Sequence, residues 1–208
     1  MENPYIKQFP DLMRGKKIMY NHGFASSAAS GTVKRIQETF PEATVVAFDL
    51  PLHPAEAMEL LRAKAAEERP DLIIGTSMGG MYAEQLRGYK RILVNPSFHM
   101  ARLLTFRGLG NYDFQNKRAD GATRFKVDKQ MIAEFKEVEK LSFKGLTPED
   151  KKNVYGMFGR NDPTVHTQDD FTKVYGKEHF VVFEGEHRLN DKILKHDVLP
   201  IIEEILVI

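Results

Sequence analysis

The sequence predicts an α/β fold, a mostly parallel sheet of about six short strands with helices on both faces. Two observations carry this. Short apolar runs rich in β-branched residues recur along the chain, and most are separated by helix-like stretches. That alternation gives right-handed crossovers and a sheet covered on both sides. A third observation is an exception: Phe98–Asp150 shows no strand of this kind and interrupts the rhythm between the fourth and fifth strands.

The elements follow in order. Lys16–Gly23 (KKIMYNHG) reads as a strand running into a glycine turn, and Ser26–Phe40 as a helix. Ala43–Leu50 (ATVVAFDL) is a buried strand. Pro54–Arg69 is a helix of Ala, Leu, Glu, Lys and Arg, stopped by Pro70. Asp71–Thr76 is a strand, Met78–Arg87 a helix ended by Gly88, and Arg91–Ser97 a strand. Asn153–Phe158 and His179–Phe183 are strands flanking a helix near Gln168–Tyr175, and Lys192–Ile205 is a closing helix. The insertion reads as a lid of helices and loops, because Val127, Met131, Phe135 and Val138 recur at helical spacing. The expected organisation is one domain over residues 1–208 with the lid at about 98–150.

Composition bounds the function classes. The chain has 208 residues, 42% hydrophobic and 28% charged, which is ordinary for a globular protein. Thirty basic and 29 acidic residues leave a net charge of +1, which gives no reason to expect a nucleic-acid or membrane partner. There is no cysteine, so no thiolate nucleophile and no cysteine-based zinc site; this fits a reducing compartment, and a cytoplasmic location is expected. The start MENPYIKQFP lacks a basic segment followed by an apolar run, so no secretory leader is expected, and no apolar run is long enough to span a bilayer.

The stretch DLIIGTSMGGMY carries the chemistry. Gly75-Thr76-Ser77-Met78-Gly79 matches G-x-S-x-G, and composition alone predicts about 0.03 such matches per chain. It follows a strand and opens a helix, the context of a nucleophile elbow. A strand that reverses into a helix within one residue strains its apex, here Ser77, and needs glycine at 75 and 79 to avoid collisions. No phosphate-binding loop or dinucleotide fingerprint fits these glycines.

A serine hydroxyl needs a base. Sites on such sheets gather at the carboxyl ends of strands. His179 begins its strand, His196 lies inside the closing helix, and His166 sits several residues past its strand. His53 lies in a PLHP turn and His99 at the start of the insertion. His22 ends the first strand, where a structural hydrogen-bonding role beneath the loop is expected. His187, after the last strand in VVFEGEHRLN, is the candidate base. The acid that would fix its tautomer is Asp162, in GRNDPTV at another strand end; Asp49 is the runner-up. The order Ser, Asp, His is that of α/β-hydrolases. The candidate oxyanion donors are the backbone N–H groups of Met78 and Phe24, the second presented by the NHGFASS loop, with Gly23 allowing the inward turn.

NHGFASSAAS followed by Lys34, GTSMGGMYAEQL, the NPS after the fourth strand, GRND and GEH together resemble the YqiA-type esterase-like proteins, small bacterial α/β-hydrolases. The resemblance spans nearly the whole chain and is weakest through the lid. It implies a compact α/β-hydrolase fold; because the first parallel strand falls almost at the start of the sequence, the antiparallel N-terminal hairpin of larger members is expected to be absent. It also implies esterase-like activity on a small-molecule acyl ester, with Ser77 as nucleophile, Asp162 as acid and His187 as base, and no metal or cofactor. Two flanks depart from the pattern. DPTV lacks the acidic residue that more often follows the aspartate, and GEHRLN has Arg188-Leu189 where a small or aromatic pair is commoner; both bear on substrate choice. The other functions in view are thioesterase, peptidase or carbon–carbon hydrolase chemistry, and a binding protein that keeps the scaffold without turnover.

Overall fold

The computed structural model describes residues 11–207; the stretch on which the absence of a leader rests, residues 1–10, lies outside them. Six parallel strands form one sheet: β1 (Lys17–Asn21), β2 (Thr44–Ala47), β3 (Leu72–Thr76), β4 (Arg91–Val94), β7 (Val154–Gly159) and β8 (Phe180–Phe183), in the spatial order β2-β1-β3-β4-β7-β8. Among the described residues no antiparallel strand joins this sheet. The central strands β3, β4 and β7 are buried almost throughout, as a sheet covered on both faces requires, and edge strand β2 is only partly so.

Alternate strand residues feed two cores. On one face Ile18, Tyr20, Ile74, Ile92 and Met157 pack with α1 (Gly31–Thr39) and α9 (Leu199–Val207). On the other, Met19, Ile73, Leu93 and Phe158 pack with α2 (Pro54–Glu68), α3 (Met78–Glu84) and α7 (Gln168–Tyr175). The chain leaves β1 towards one edge and returns to lay β3 on the other side of it. The loops after β1 and β3 therefore diverge, which opens a crevice at their carboxyl ends.

Three sequence expectations need correction. The first helix begins at Gly31, not Ser26. Residues 26–30 form a loop because their polar groups are claimed elsewhere: Ser27 Oγ donates to Lys117 O (2.8 Å) and Ala28 N–H donates to Asp49 Oδ1 (2.8 Å). The insertion is not purely helical. Besides α4 (Met100–Arg107), α5 (Lys129–Glu139) and α6 (Pro148–Lys152) it holds an antiparallel hairpin, β5 (Gly110–Asp113) with β6 (Arg124–Val127). Val127 belongs to β6 rather than to the helix, where Met131, Phe135 and Val138 line the buried face. The closing helix is three pieces: α8 (Asp191–Ile193), a π-helical turn (Leu194–Val198) and α9. Pro200, which has no N–H and crowds the preceding turn, lies where the wider turn ends.

A buried charge cluster anchors the insertion at the amino ends of the strands. Glu84 and Arg91 are fully buried. Glu84 takes Arg87 Nη1 (2.9 Å) and the Phe143 N–H (3.2 Å), and Tyr175 donates to it as well. Arg91 donates to Glu84 O (2.6 Å) and to Asp150 Oδ1 (3.3 Å). Each ion therefore has a partner, the condition under which buried charges are tolerated.

Helix α3 packs so closely on β1 that only glycine fits at its second residue. A Cβ on Gly79 would lie 2.1 Å from Asn21 O and 2.6 Å from His22 O. A Cβ on Gly31, by contrast, would have only Arg35 Nη1 within 4 Å, at 3.7 Å. Gly79→Ala should therefore cost about 3 kcal/mol or more in urea unfolding, and Gly31→Ala less than about 0.5 kcal/mol either way. Equal effects would contradict this packing.

Candidate active site

The centre of the crevice is Ser77. It sits between β3 and α3 with φ 55° and ψ −120°, a backbone conformation that L-residues rarely adopt. Its own backbone is held firmly: the N–H donates to Val94 O (3.0 Å), and the carbonyl accepts from Gly80, Met81 and Ser97 N–H at 2.9–3.1 Å. Gly75 and Gly79 face one another across the turn, and a Cβ on Gly75 would lie 2.3 Å from Gly79 O.

Two loops bring polar side chains to this hydroxyl. His187 follows β8, and its Nε2 stands 3.0 Å from Ser77 Oγ. Its Nδ1 stands 2.7 Å from Asp162 Oδ2. An ionised carboxylate only accepts, so Nδ1 carries the hydrogen and the Nε2 lone pair faces the serine. Asp162 follows β7 and is buried. Its second oxygen accepts from Thr164 N–H (2.7 Å) and Val165 N–H (3.1 Å). Burial pushes its carboxyl up, but the His187 ring and these amides more than offset that, and the net effect holds it below the usual value.

Asn95 was not singled out by its sequence position, yet it organises both loops. It directly follows β4, is buried, and has φ 45°. Its Nδ2 donates to Glu186 O and His187 O, both at 3.0 Å, and its Oδ1 accepts from Gly159 N–H at 2.7 Å. One amide thus ties β7 and the histidine loop to β4. The NPS run after the fourth strand was the available signal.

The loop after β1 closes the other side. The N–H groups of Phe24 and Met78 donate to no acceptor among the described residues. The inward turn is made differently from the sequence expectation. Ala25, with φ 61°, takes the left-handed conformation, and a Cβ on Gly23 would lie 3.4 Å from Ser77 Cβ, in ordinary contact.

The remaining candidates are occupied elsewhere. His22 is buried, bonds Gly23 O through Nδ1 (2.9 Å) and accepts from Leu50 N–H at Nε2 (3.3 Å); burial pushes its pKa down. Asp49 accepts from Ala28 and Ala119 N–H. His53 pairs with Glu134 and His99 with Asp170. The insertion also reaches the site. Phe125 meets Phe24 edge-to-face (5.2 Å), and Gln115 N–H donates to Ala25 O (2.7 Å).

Solved structures with this architecture include Est1E from Butyrivibrio proteoclasticus (16% identity, TM-score 0.58, covering 96% of this chain and 90% of that one). A soluble variant of monoglyceride lipase from Saccharomyces cerevisiae is similar (14% identity, TM-score 0.57, 93% and 88%). So is a thioesterase domain from the curacin biosynthetic pathway (14% identity, TM-score 0.52, 96% and 93%). At these identities the likeness is one of fold. The model of the uncharacterised protein family UPF0227 matches residues 17–203. The chain therefore belongs to UPF0227, the YqiA family, and has the α/β-hydrolase fold.

Proposed function

We propose that the protein is a serine hydrolase of the carboxylesterase type, cleaving small acyl esters through Ser77, His187 and Asp162. The single observation that carries this reading is the hydrogen-bonded series from Ser77 Oγ through His187 to Asp162, at 3.0 and 2.7 Å, on three separate strand ends.

The chemistry follows from the geometry. His187 Nε2 takes the Ser77 proton as Oγ attacks the ester carbonyl carbon. The carbonyl oxygen becomes an anion that the N–H groups of Phe24 and Met78 receive; one such donor is typically worth about 3–4 kcal/mol. Asp162 keeps the ring in the required tautomer and stabilises the imidazolium. His187 then gives its proton to the leaving alkoxide, and the acyl group stays on Ser77. Water deprotonated by His187 releases the acid and restores the serine. No step asks for a metal or cofactor. Residues 98–150 serve as the lid, with the hairpin β5–β6 over the oxyanion loop.

Ser77→Ala should lower kcat on p-nitrophenyl acetate by several orders of magnitude, and Asp162→Asn by about 10⁴, with far-UV circular dichroism unchanged. Parent-like turnover by purified Ser77→Ala would reject the assignment. A panel pairing each acyl group as ester and thioester separates esterase from thioesterase by the ratio of kcat/KM.

Asp162 also has a pH signature. Its folded carboxyl titrates below its ordinary value of 3.8. The ionised form therefore stabilises the fold above about pH 4, and that contribution is lost as pH falls through the lower folded value. The gap in urea-unfolding free energy between parent and Asp162→Asn should narrow from pH 7 to pH 3. A gap independent of pH would contradict it.

A further inference from the structure

The geometry points to a carboxylate subsite at Arg188, which selects esters whose leaving group carries a carboxylate; this rests on the hydrolase reading above. Arg188 directly follows His187, so its Cα lies about 3.8 Å from that of the base. Its backbone has little freedom. The His187 carbonyl is held by Asn95 Nδ2, and Leu189 on the other side is buried. The side chain is exposed and crosses to the insertion, where Nη2 donates to Gln115 Oε1 (3.3 Å). Gln115 is itself tied through its N–H to Ala25 O, one residue from Phe24. The guanidinium therefore bridges the histidine loop and the insertion segment that rests on the oxyanion loop.

Its charge is available. Arg118, the other arginine beside this loop, is committed: it pairs with Asp120 (3.1 Å), donates to Leu50 O (3.2 Å) and stacks on Phe114 (4.7 Å). Arg188 pairs with no carboxylate among the described residues, and one contact to a neutral amide leaves most of its five N–H donors for a ligand. A planar fork of donors suits a carboxylate. His187 delivers its proton to the leaving oxygen, and Arg188 is next to it in the chain, so the leaving group is the part of the ester assigned to this guanidinium.

The test compares 4-acetoxybenzoate with methyl 4-acetoxybenzoate, which share the acetyl group and differ in the charge on the leaving phenol. The readout is the ratio of kcat/KM, anionic over neutral, for the parent, Arg188→Gln, Arg188→Lys and Arg188→Glu. Arg188→Gln should lower the ratio about five-fold, the upper range for an exposed charge pair. The change should fall mainly in KM for the anionic ester. Arg188→Lys should restore part of the ratio, and Arg188→Glu should lower it further. Salt from 20 to 500 mM should reduce the parent's ratio and leave that of Arg188→Gln nearly flat. Ratios equal within two-fold across the four proteins, with neutral ester still cleaved in a Ser77-dependent way, would overturn the subsite and leave the hydrolase reading standing. No Ser77-dependent cleavage of either ester would overturn both.

Discussion

The candidate site depends throughout on the reversal of the chain at Ser77. Strand β3 must become helix α3 within one residue, and the serine accepts a disfavoured conformation as a result. Strain of this kind costs on the order of 1–3 kcal/mol. It persists because the neighbours leave no alternative. The serine carbonyl takes three N–H donors, its N–H is bound to β4, and the two flanking glycines sit backbone to backbone. The turn is thereby tied by hydrogen bonds to β4 and to the loop that follows it. Its consequence is a hydroxyl lifted out of the sheet, with the first amide of α3 beside it.

The second half of the site is held by an equally buried device. Asn95 places all three of its side-chain hydrogen bonds on backbone from β7 and the histidine loop. A buried amide satisfied on both ends fixes its partners, because breaking any bond leaves a polar group unpaired at about 1–3 kcal/mol. The imidazole is thus aimed by backbone that the sheet itself anchors. Asp162 completes this through its aspartate turn, in which the same carboxylate binds two amides and the ring.

The elbow was legible in the sequence because its requirements are local. Gly75 and Gly79 stand two residues either side of Ser77, and the apolar run before them announces the strand. Asp162 and His187 were legible once the strands were located, since only their carboxyl ends face the crevice. What the sequence concealed depends on distant partners. Asn95 acts on residues 64, 91 and 92 positions away. The loop at 26–30 stays out of the helix because Lys117 and Asp49 claim its groups. The hairpin was hidden by a coincidence of spacing. Val127 lies four residues before Met131 and so fits a helical stripe, yet it alternates with the buried Phe125, the true signal in RFKV. Gly23 was read as the residue that allows the inward turn, whereas Ala25, two residues on, takes the left-handed conformation.

The insertion packs against both parts of the candidate site. It is clamped to the sheet below by Glu84, Arg91 and Asp150, and it meets the loop after β1 above through Phe125 and Gln115. The most direct measurement of the central claim is covalent labelling with a fluorophosphonate, followed by intact and peptide mass spectrometry. The account predicts one adduct per chain, carried by Ser77 and lost in His187→Ala. Labelling elsewhere, or an adduct on Ser77 that forms as fast without the imidazole, would contradict it.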